Sequence, residues 1–212
     1  HDLQEPLRTV SSFVSLLERR YADRLDDQAR RYIGFAVDGA KRMSELIDDL
    51  LTFSRLGHAD VPPEPTDLAA AWDEAAANLR GQIDETGAEV SRTALPVVLA
   101  GHREAVQLLQ NLIGNGLKYR GVDTPVITAT AERDGPDWRI TVRDNGIGID
   151  PAYHERIFVV FQRLHTADEY PGTGMGLAIC KKIVDGYGGS ITVASSAGAG
   201  TAFTVTLPAG ER

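Results

Sequence analysis

An apolar repeat over residues 1–57 is the feature that most restricts how this chain can fold. Apolar or small side chains recur at alternating spacings of three and four residues in two runs: Leu3, Leu7, Val10, Val14, Leu17 and Tyr21, then Leu25, Ala29, Tyr32, Ala36, Gly39, Met43, Leu46, Leu50 and Phe53. This average period of about 3.5 residues predicts two helices, each with the apolar seam of a coiled coil or helical bundle.

The apolar stripe on the second helix is too wide for a seam between only two helices. Five further residues widen it: Ile33, Val37, Ala40, Ile47 and Leu51. A stripe of this width needs several neighbouring helices, as in a four-helix bundle. We therefore predict a homodimer in which two helices from each chain form one bundle.

Two short segments bound the second helix. Residues 22–27 are the predicted connection between the helices, with Asp26 or Asp27 as the N-cap of the second one. The segment from Gly57 to Pro65 contains one glycine and three prolines, which predicts the end of the helix and a linker. The linker is expected over residues 58–66, between a helical domain at 1–57 and a second domain at 67–212.

The second domain alternates helical and extended patterns. Helices are predicted at residues 68–86, 102–119 and 175–187, and strands at 88–94, 97–100, 126–131, 138–143, 190–194 and 201–207. We expect helices to cover one face of a largely antiparallel sheet. The predicted fold class is a helical hairpin followed by an α+β sandwich.

Composition excludes several classes of protein. The chain carries 22 Lys and Arg against 30 Asp and Glu, a net charge of −8, so nucleic acid and anionic membranes are poor candidates as partners. No apolar run is long enough to span a bilayer, and no signal peptide is expected. The single cysteine, Cys180, excludes an internal disulfide and a multi-cysteine metal site, and it predicts a reducing, cytoplasmic location.

The glycines are concentrated in the second half of the chain. Six of the 21 lie in residues 1–110 and 15 in residues 111–212, where twelve of them form small groups at 114/116, 146/148, 172/174/176, 186/188/189 and 198/200. Such groups build ordinary turns or let the backbone approach a ligand closely. They do not form a P-loop, because no Gly-Lys-Ser/Thr occurs. They do not form a dinucleotide fingerprint either, because Leu177 and Pro151 occupy the positions where its last glycine is needed.

Six segments, in the same order, resemble the conserved boxes of sensor histidine kinases. His1–Arg8 resembles the phosphoacceptor box, and residues 111–119 resemble the asparagine box. Residues 144–149, 172–177 and 198–201 resemble the three glycine boxes, and residues 157–163 the phenylalanine box. The first box is also similar to that of phytochrome-type and related PAS-linked kinases.

This resemblance implies a fold, an activity and partners. The implied fold is a dimeric helical hairpin followed by an ATP-binding α/β sandwich, which is shared with gyrase, mismatch-repair and heat-shock chaperone ATPases. The implied activity is ATP-dependent autophosphorylation of a histidine, followed by phosphoryl transfer to an aspartate in the receiver domain of a response regulator. Residues 1–57 then serve dimerisation and phosphotransfer, residues 67–212 bind ATP, and a sensor domain is expected upstream of the chain.

By the same resemblance, His1 is the nucleophile and Asp2 orients its ring or takes its proton. Neutral imidazole has a free lone pair near pH 7, which suits attack on phosphorus. Pro6 is expected to bend the helix after the histidine, because proline removes a helical hydrogen bond. The alternative is that His1 is a tag remnant.

The asparagine box supplies the residues expected at Mg²⁺ and phosphate. Asn111, Asn115 and Lys118 share one helix face because of their spacing. The resemblance makes Asn115 the main Mg²⁺ ligand, with Asn111 as a second. Asn111 also stands where the related ATPases carry a water-activating glutamate, and an amide there is a poor base. The alternative is a solvated polar face, and Tyr119 either borders the adenine or only packs.

Asp144 is the residue expected to accept a hydrogen bond from the adenine amino group, with Gly146 and Gly148 letting the backbone approach the base. The alternative is an ordinary Asp-Asn-Gly turn. Other residues placed at the nucleotide by the resemblance are Ile149, Gly172, Thr173, Gly174, Met175, Gly176, Leu177 and Thr201. The helix after the second glycine box presents N-terminal amides that suit phosphate.

A lid over the nucleotide is expected between the first and second glycine boxes, over residues 151–171. Arg163 is the lid cation expected to meet the γ-phosphate. Phe158 and Phe161 are expected to anchor the lid.

Two other functions remain open at this point. One is an ATPase that uses hydrolysis to drive a clamp, and the other is a degenerate kinase that serves as a dimeric scaffold. Glu5 departs from many relatives, which carry Thr or Asn at that position to aid dephosphorylation of the partner. The balance between kinase activity and phosphatase activity toward the partner therefore stays open.

Overall fold

Helices alone make up the N-terminal part of the chain, whereas helices and strands alternate after it. The computed structural model describes residues 4–21, 25–56, 63–164, 169–170 and 172–210. The chain divides into two units, His1–Ser54 and Arg55–Arg212. The predicted domain bounds and the homodimer stay predictions.

Two helices form the N-terminal unit: α1, Gln4–Tyr21, and α2, Asp27–Arg55. The N-cap of α2 is Asp26, because its Oδ1 accepts the backbone N–H of Ala29 at 2.7 Å. Pro6 lies in the first turn of α1 within the described residues. The expected bend after the histidine involves residues 1–3, which lie outside them.

These two helices bury almost nothing by themselves. Among the described residues of this unit, Ala40 is the one that is buried. Phe13, Tyr32 and Phe35 are 64%, 61% and 68% exposed. Phe13 and Phe35 lie outside the predicted seam, so the exposed apolar surface is wider than the repeat alone indicates. Apolar surface of this extent is typical of a face that another chain covers.

Over its described residues, the second unit contains seven strands and four α-helices. The strands are β1 Glu64–Asp67, β2 Glu89–Arg92, β3 Val97–Ala100, β4 Val126–Asp134, β5 Asp137–Asp144, β6 Ser190–Ser195 and β7 Thr201–Pro208. The helices are α3 Leu68–Asn78, α4 Arg80–Thr86, α5 His102–Lys118 and α6 Gly176–Gly186. Two short 3-10 helices, Pro151–Tyr153 and Arg156–Phe158, follow β5.

The main sheet has five strands in the order β2-β4-β5-β7-β6. All neighbours pair antiparallel except β2 and β4, which are parallel. Strands β1 and β3 form a separate antiparallel pair. Alternate residues of the central strands are buried, and the core between sheet and helices includes Ile127, Ile140, Val205, Leu112 and Ile179. The open end of this layer, where β5 finishes and α5 ends, carries the candidate site.

The predicted fold class, a helical N-terminal region followed by an α+β sandwich, is confirmed. Three details of the secondary-structure prediction are wrong. The helix predicted over 68–86 is two helices, because Leu79 has φ −97° and ψ 6° and turns its buried side chain into the core. Residues 64–66, predicted as linker, belong to β1, where Pro65 is tolerated in an edge strand. The strand predicted over 88–94 is shorter and pairs parallel to its neighbour.

No helix among the described residues is both long enough and apolar enough to cross a membrane.

The exposed apolar face of α2 generates a prediction about assembly. Replacing Leu46 and Leu50 with Asp places two carboxylates in the predicted four-helix bundle, where burying an unpaired charge costs several kcal/mol. We expect the variant to be monomeric by light scattering. A matched control, Lys41→Asp with Arg42→Asp, adds the same two carboxylates at exposed positions of the same helix and should remain dimeric. An unchanged dimer in the Leu46/Leu50 variant would place the interface elsewhere.

Candidate functional site

The carboxylate of Asp144 organises the end of β5. Its Oδ1 accepts the backbone N–H of Gly146 at 2.8 Å and that of Thr201 at 3.2 Å. Burial raises the pKa of Asp144, and the two backbone hydrogen bonds oppose this shift. Both bonds end on Oδ1, so within the described part of the chain Oδ2 has no hydrogen-bond donor. The Asp-Asn-Gly turn is therefore present, and one acceptor oxygen remains for a ligand.

Glycine is required on both sides of this carboxylate. A side chain at Gly146 would collide with the backbone carbonyl of Tyr119, and one at Gly200 with the carbonyl of Asp144 itself. Gly200 also has φ +73°, a conformation that side chains disfavour. Gly146 of the first glycine box and Gly200 of the third can therefore lie close to the neighbouring backbone carbonyls, because neither residue has a Cβ.

Two residues that the sequence analysis missed fasten these loops. Asn145 accepts the backbone N–H of Val126 at 2.8 Å and donates to the carbonyl of Thr124 at 2.9 Å. The hydroxyl of Ser195 donates to the carbonyl of Gly200 at 2.7 Å and accepts the N–H of Ile149 at 2.8 Å. Asn145 was discoverable as the polar neighbour of Asp144, whereas no sequence signal marks Ser195.

The two asparagines of α5 lie in different environments. Asn111 accepts from Gln107 Nε2 at 3.2 Å and donates to the carbonyl of Gly176 at 3.2 Å, so it joins α5 to the start of α6. The Nδ2 of Asn115 is buried and has no hydrogen-bond partner in the described part of the chain. A buried amide without a partner is costly, which is expected where a ligand completes the site.

Lys118 and Tyr119 form a polar cluster at the end of α5. Lys118 Nζ donates to the hydroxyl of Tyr119 at 2.8 Å and lies 4.4 Å from the centroid of its ring. The Tyr119 ring packs on Tyr170, with centroids 5.0 Å apart. Its backbone carbonyl accepts the N–H of Ile147 at 2.9 Å, which ties α5 to the first glycine box. Packing by Tyr119 is thus observed, and its contact with adenine stays a prediction.

The second glycine box runs from the lid into α6 beside Lys118. A Cβ at Gly172 would lie 2.7 Å from Lys118 Nζ, so the backbone passes close to the ammonium group. Gly174 has φ +77°, and a Cβ there would lie 2.9 Å from the carbonyl oxygen of Gln162. Thr173 accepts the N–H of Met175 through its hydroxyl at 3.3 Å. Met175 is fully buried and Leu177 lies in the first turn of α6, so this box is anchored in the core.

The contact of Arg163 with the γ-phosphate stays a prediction. Arg163 donates from Nη2 to the backbone carbonyl of Tyr170 at 2.6 Å. Phe161 is 53% exposed and has φ +61°, so the expectation that it anchors the lid is wrong. Ile157, which is 6% exposed, is the buried anchor instead. Residues 165–168 and 171 of the expected lid lie outside the described residues.

His1 and Asp2, the expected nucleophile and its neighbour, also lie outside the described residues. Within the described ranges, no three His, Cys, Asp or Glu side chains are grouped as a metal site. The second unit nevertheless brings Asn111, Asn115, Lys118, Asp144 and the glycine boxes to one end of the sheet. The unpartnered Nδ2 of Asn115 is a donor that suits a phosphate oxygen, and the free oxygen of Asp144 is an acceptor that suits an adenine amino group. The amide oxygen of Asn115 is a neutral donor of the kind that Mg²⁺ accepts.

Comparison with family models divides the chain as the resemblance does. Residues 1–59 match the family described as "His Kinase A (phospho-acceptor) domain". Residues 101–211 match the family described as "Histidine kinase-, DNA gyrase B-, and HSP90-like ATPase".

Curated relatives and solved structures agree with these matches. The chain is 51% identical over 212 residues to Cyanobacterial phytochrome A of Nostoc sp., covering 100% of this chain and 28% of that protein. It is 49% identical over 211 residues to Phytochrome-like protein Cph1 of Synechocystis sp., with the same coverage of 100% and 28%. Full-length ShkA in complex with AMPPNP is similar in structure, with a TM-score of 0.72 at 29% identity over 98% of this chain and 44% of that one. The chain thus spans under a third of the two phytochromes.

The buried carboxylate generates a prediction about pH. Lowering the pH protonates Asp144 and removes an acceptor for the adenine amino group, and its raised pKa makes this loss begin at a higher pH than for an ordinary aspartate. We expect the affinity for a non-hydrolysable ATP analogue to fall on acidification more steeply in the parent than in Asp144→Asn. That variant should bind about tenfold or more weakly at neutral pH. Calorimetric titration across pH checks this.

Titration of the phosphates is common to parent and variant, so the difference between their pH profiles reports Asp144. Asp185→Asn, on the exposed side of α6, is the matched control and should follow the parent. Parallel profiles for the parent and Asp144→Asn would remove Asp144 from the site.

The unpartnered amide of Asn115 generates a prediction about charge. Asn115→Asp supplies a stronger ligand for a hard cation, but it loses the NH₂ donor and adds a negative charge. At about 4–6 Å from a phosphate charge, that carboxylate costs on the order of 2–4 kcal/mol at an effective dielectric of 20. We therefore expect weaker binding of the MgATP analogue by calorimetry. Asn78→Asp makes the same change on the exposed end of α3 and should bind like the parent. Equal or tighter binding by Asn115→Asp would move the magnesium assignment to Asn111.

Proposed function

The chain belongs to the histidine kinases, and from that premise we propose that it phosphorylates its own His1 from ATP and passes the phosphoryl group to an aspartate of a response regulator. The observation that carries this proposal is that one chain matches both a phosphoacceptor family and an ATPase family. A phosphoacceptor alone cannot use ATP, and an ATPase alone offers no histidine as acceptor.

The proposed chemistry uses His1 and Asp2. The neutral imidazole of His1 attacks the γ-phosphorus, a nitrogen–phosphorus bond forms, and the bond to the β-phosphate oxygen breaks as ADP leaves. Asp2 orients the ring or takes the proton that the imidazole loses. The phosphohistidine bond is labile, so an aspartate of a receiver domain can take the phosphoryl group from it.

The second unit supplies the residues that hold the nucleotide. Asp144 Oδ2 accepts from the adenine amino group, which favours ATP over GTP, while Lys118 and Arg163 contact the phosphates. Asn115 is the main residue to hold Mg²⁺ and Asn111 a second. When bound, this ion offsets negative charge on the phosphates and orients them.

The environment of Asn111 favours phosphotransfer over the clamp ATPase. Its amide is held by Gln107 on one side and by the carbonyl of Gly176 on the other. An amide has no basic group to take a proton from water, so hydrolysis lacks the general base that a glutamate would provide there.

We further propose that the chain works as a homodimer in the cytoplasm. The exposed apolar faces of α1 and α2 and the phosphoacceptor match support dimerisation. The proposed partners are an upstream sensor domain and the receiver domain of a response regulator.

The nucleophile assignment is tested by His1→Gln. Because His1 precedes α1 and the nucleotide residues all lie in the second unit, we expect the variant to lose autophosphorylation while binding ATP within a few-fold of the parent. Incubation with radiolabelled ATP should give an acid-labile, base-stable label on the parent and none on the variant. His102→Gln, which removes a surface histidine that pairs with Glu74, should label normally. Label retained by His1→Gln, or ATP affinity lost together with labelling, would contradict the assignment.

A further inference from the structure

Tyr170 connects the lid to the end of α5. Its ring lies 5.0 Å from that of Tyr119, centroid to centroid, with the ring planes inclined by 48°. This separation and tilt are within the range of favourable aromatic pairs. Tyr119 belongs to the asparagine box, whereas no sequence pattern gave Tyr170 a role.

On the α5 side of this contact, Tyr119 holds Lys118. The ammonium donates to the Tyr119 hydroxyl at 2.8 Å and lies 4.4 Å from the centre of the ring. Both contacts are attractive for a cation, so they restrict a side chain that otherwise rotates freely.

On the lid side, Tyr170 holds Arg163. The guanidinium donates from Nη2 to the backbone carbonyl of Tyr170 at 2.6 Å. A charged donor makes this hydrogen bond stronger than one between neutral groups. The position of Arg163 therefore depends on where the backbone of Tyr170 is fixed.

We infer that Tyr170 is a positioning residue, whose ring contact with Tyr119 fixes Arg163 near Lys118 for the phosphates of the nucleotide. This inference rests on the proposed function, because it takes ATP as the ligand. Each cation has a long side chain that loses rotamer freedom when it binds phosphate. The aromatic contact fixes the attachment point of Arg163 before the nucleotide arrives, while Tyr119 itself holds Lys118, and this lowers that cost.

The two nucleotides are expected to respond differently to loss of the ring. A triphosphate uses both cations, whereas ADP lacks the γ-phosphate to which Arg163 is assigned. Tyr170→Ala should therefore weaken binding of Mg-AMPPNP about three- to tenfold, the range expected for one aromatic pair. The same variant should weaken the binding of ADP by less than about twofold, because the contact of Lys118 with Tyr119 remains.

Three variants of the whole chain test this by calorimetric titration with Mg-AMPPNP and with ADP. Tyr170→Phe keeps the ring and the backbone carbonyl and should bind both nucleotides like the parent. Trp138→Ala removes another aromatic side chain that contacts an arginine, in the β4–β5 hairpin outside the cluster, and should also bind like the parent. Only Tyr170→Ala should separate the triphosphate from ADP.

Two results would overturn the inference. In the first, Tyr170→Ala changes the affinity for both nucleotides equally, which would indicate a general structural role or none. In the second, Tyr170→Phe loses as much affinity for Mg-AMPPNP as Tyr170→Ala, which would assign the effect to the hydroxyl. If thermal melting shows that Tyr170→Ala does not fold, Tyr170→Leu keeps apolar bulk without a ring and should show the same selective loss. A parent that neither binds Mg-AMPPNP nor labels itself would instead refute the proposed function.

Discussion

The hydrogen bonds of Asp144 Oδ1 are the interaction on which the site depends. One carboxylate oxygen accepts the N–H of Gly146 and of Thr201, so it fixes the first glycine box and the start of β7 at once. Each loop reaches this oxygen because the adjoining positions, Gly146 and Gly200, carry no Cβ. The raised pKa of Asp144 shows that burial of this carboxylate opposes its ionisation. The sandwich thus keeps a partly desolvated charge where its second oxygen is open to a ligand.

The packing of α5 gives its two asparagines, Asn111 and Asn115, different hydrogen-bond partners. Asn111 and Asn115 are one helical turn apart, and nothing in their residue type distinguishes them. Asn111 lies against the start of α6, and its amide hydrogen-bonds to Gln107 and to the carbonyl of Gly176. The Nδ2 of Asn115 is buried and has no hydrogen-bond partner among the described residues. The Asn111 amide joins two helices and keeps one lone pair of its oxygen for a second contact, whereas the Nδ2 of Asn115 is left for the ligand. If both residues had a purely structural role, nothing would offset the free-energy cost of burying the Nδ2 of Asn115 without a hydrogen bond.

Much of this architecture could be predicted from the sequence, for reasons that differ by element. The helical and α+β regions followed from periodicity, and the β4–β5 hairpin from its turn residues, because these signals are local. The break at Leu79 was missed because a buried side chain, not a helix breaker, causes it. Pro65 suggested a linker, although an edge strand tolerates proline. Motif residues such as Asp144 were found, but Ser195 and Tyr170 were not, because each contacts a partner distant in sequence, Ile149 and Tyr119 respectively.

The two units differ in how far they bury their apolar side chains within one chain. The second unit has two faces, sheet and helices, that bury residues such as Ile113 and Val184 within one chain. Its nucleotide residues can therefore be positioned by local contacts alone. The first unit has two helices whose apolar residues, Phe13 and Phe35 among them, stay mostly exposed. In the proposed dimer, a second chain would cover these residues, so the packing of the first unit would depend on assembly. A signal that changed how the two chains pack could then alter the proposed phosphotransfer without any change in the second unit.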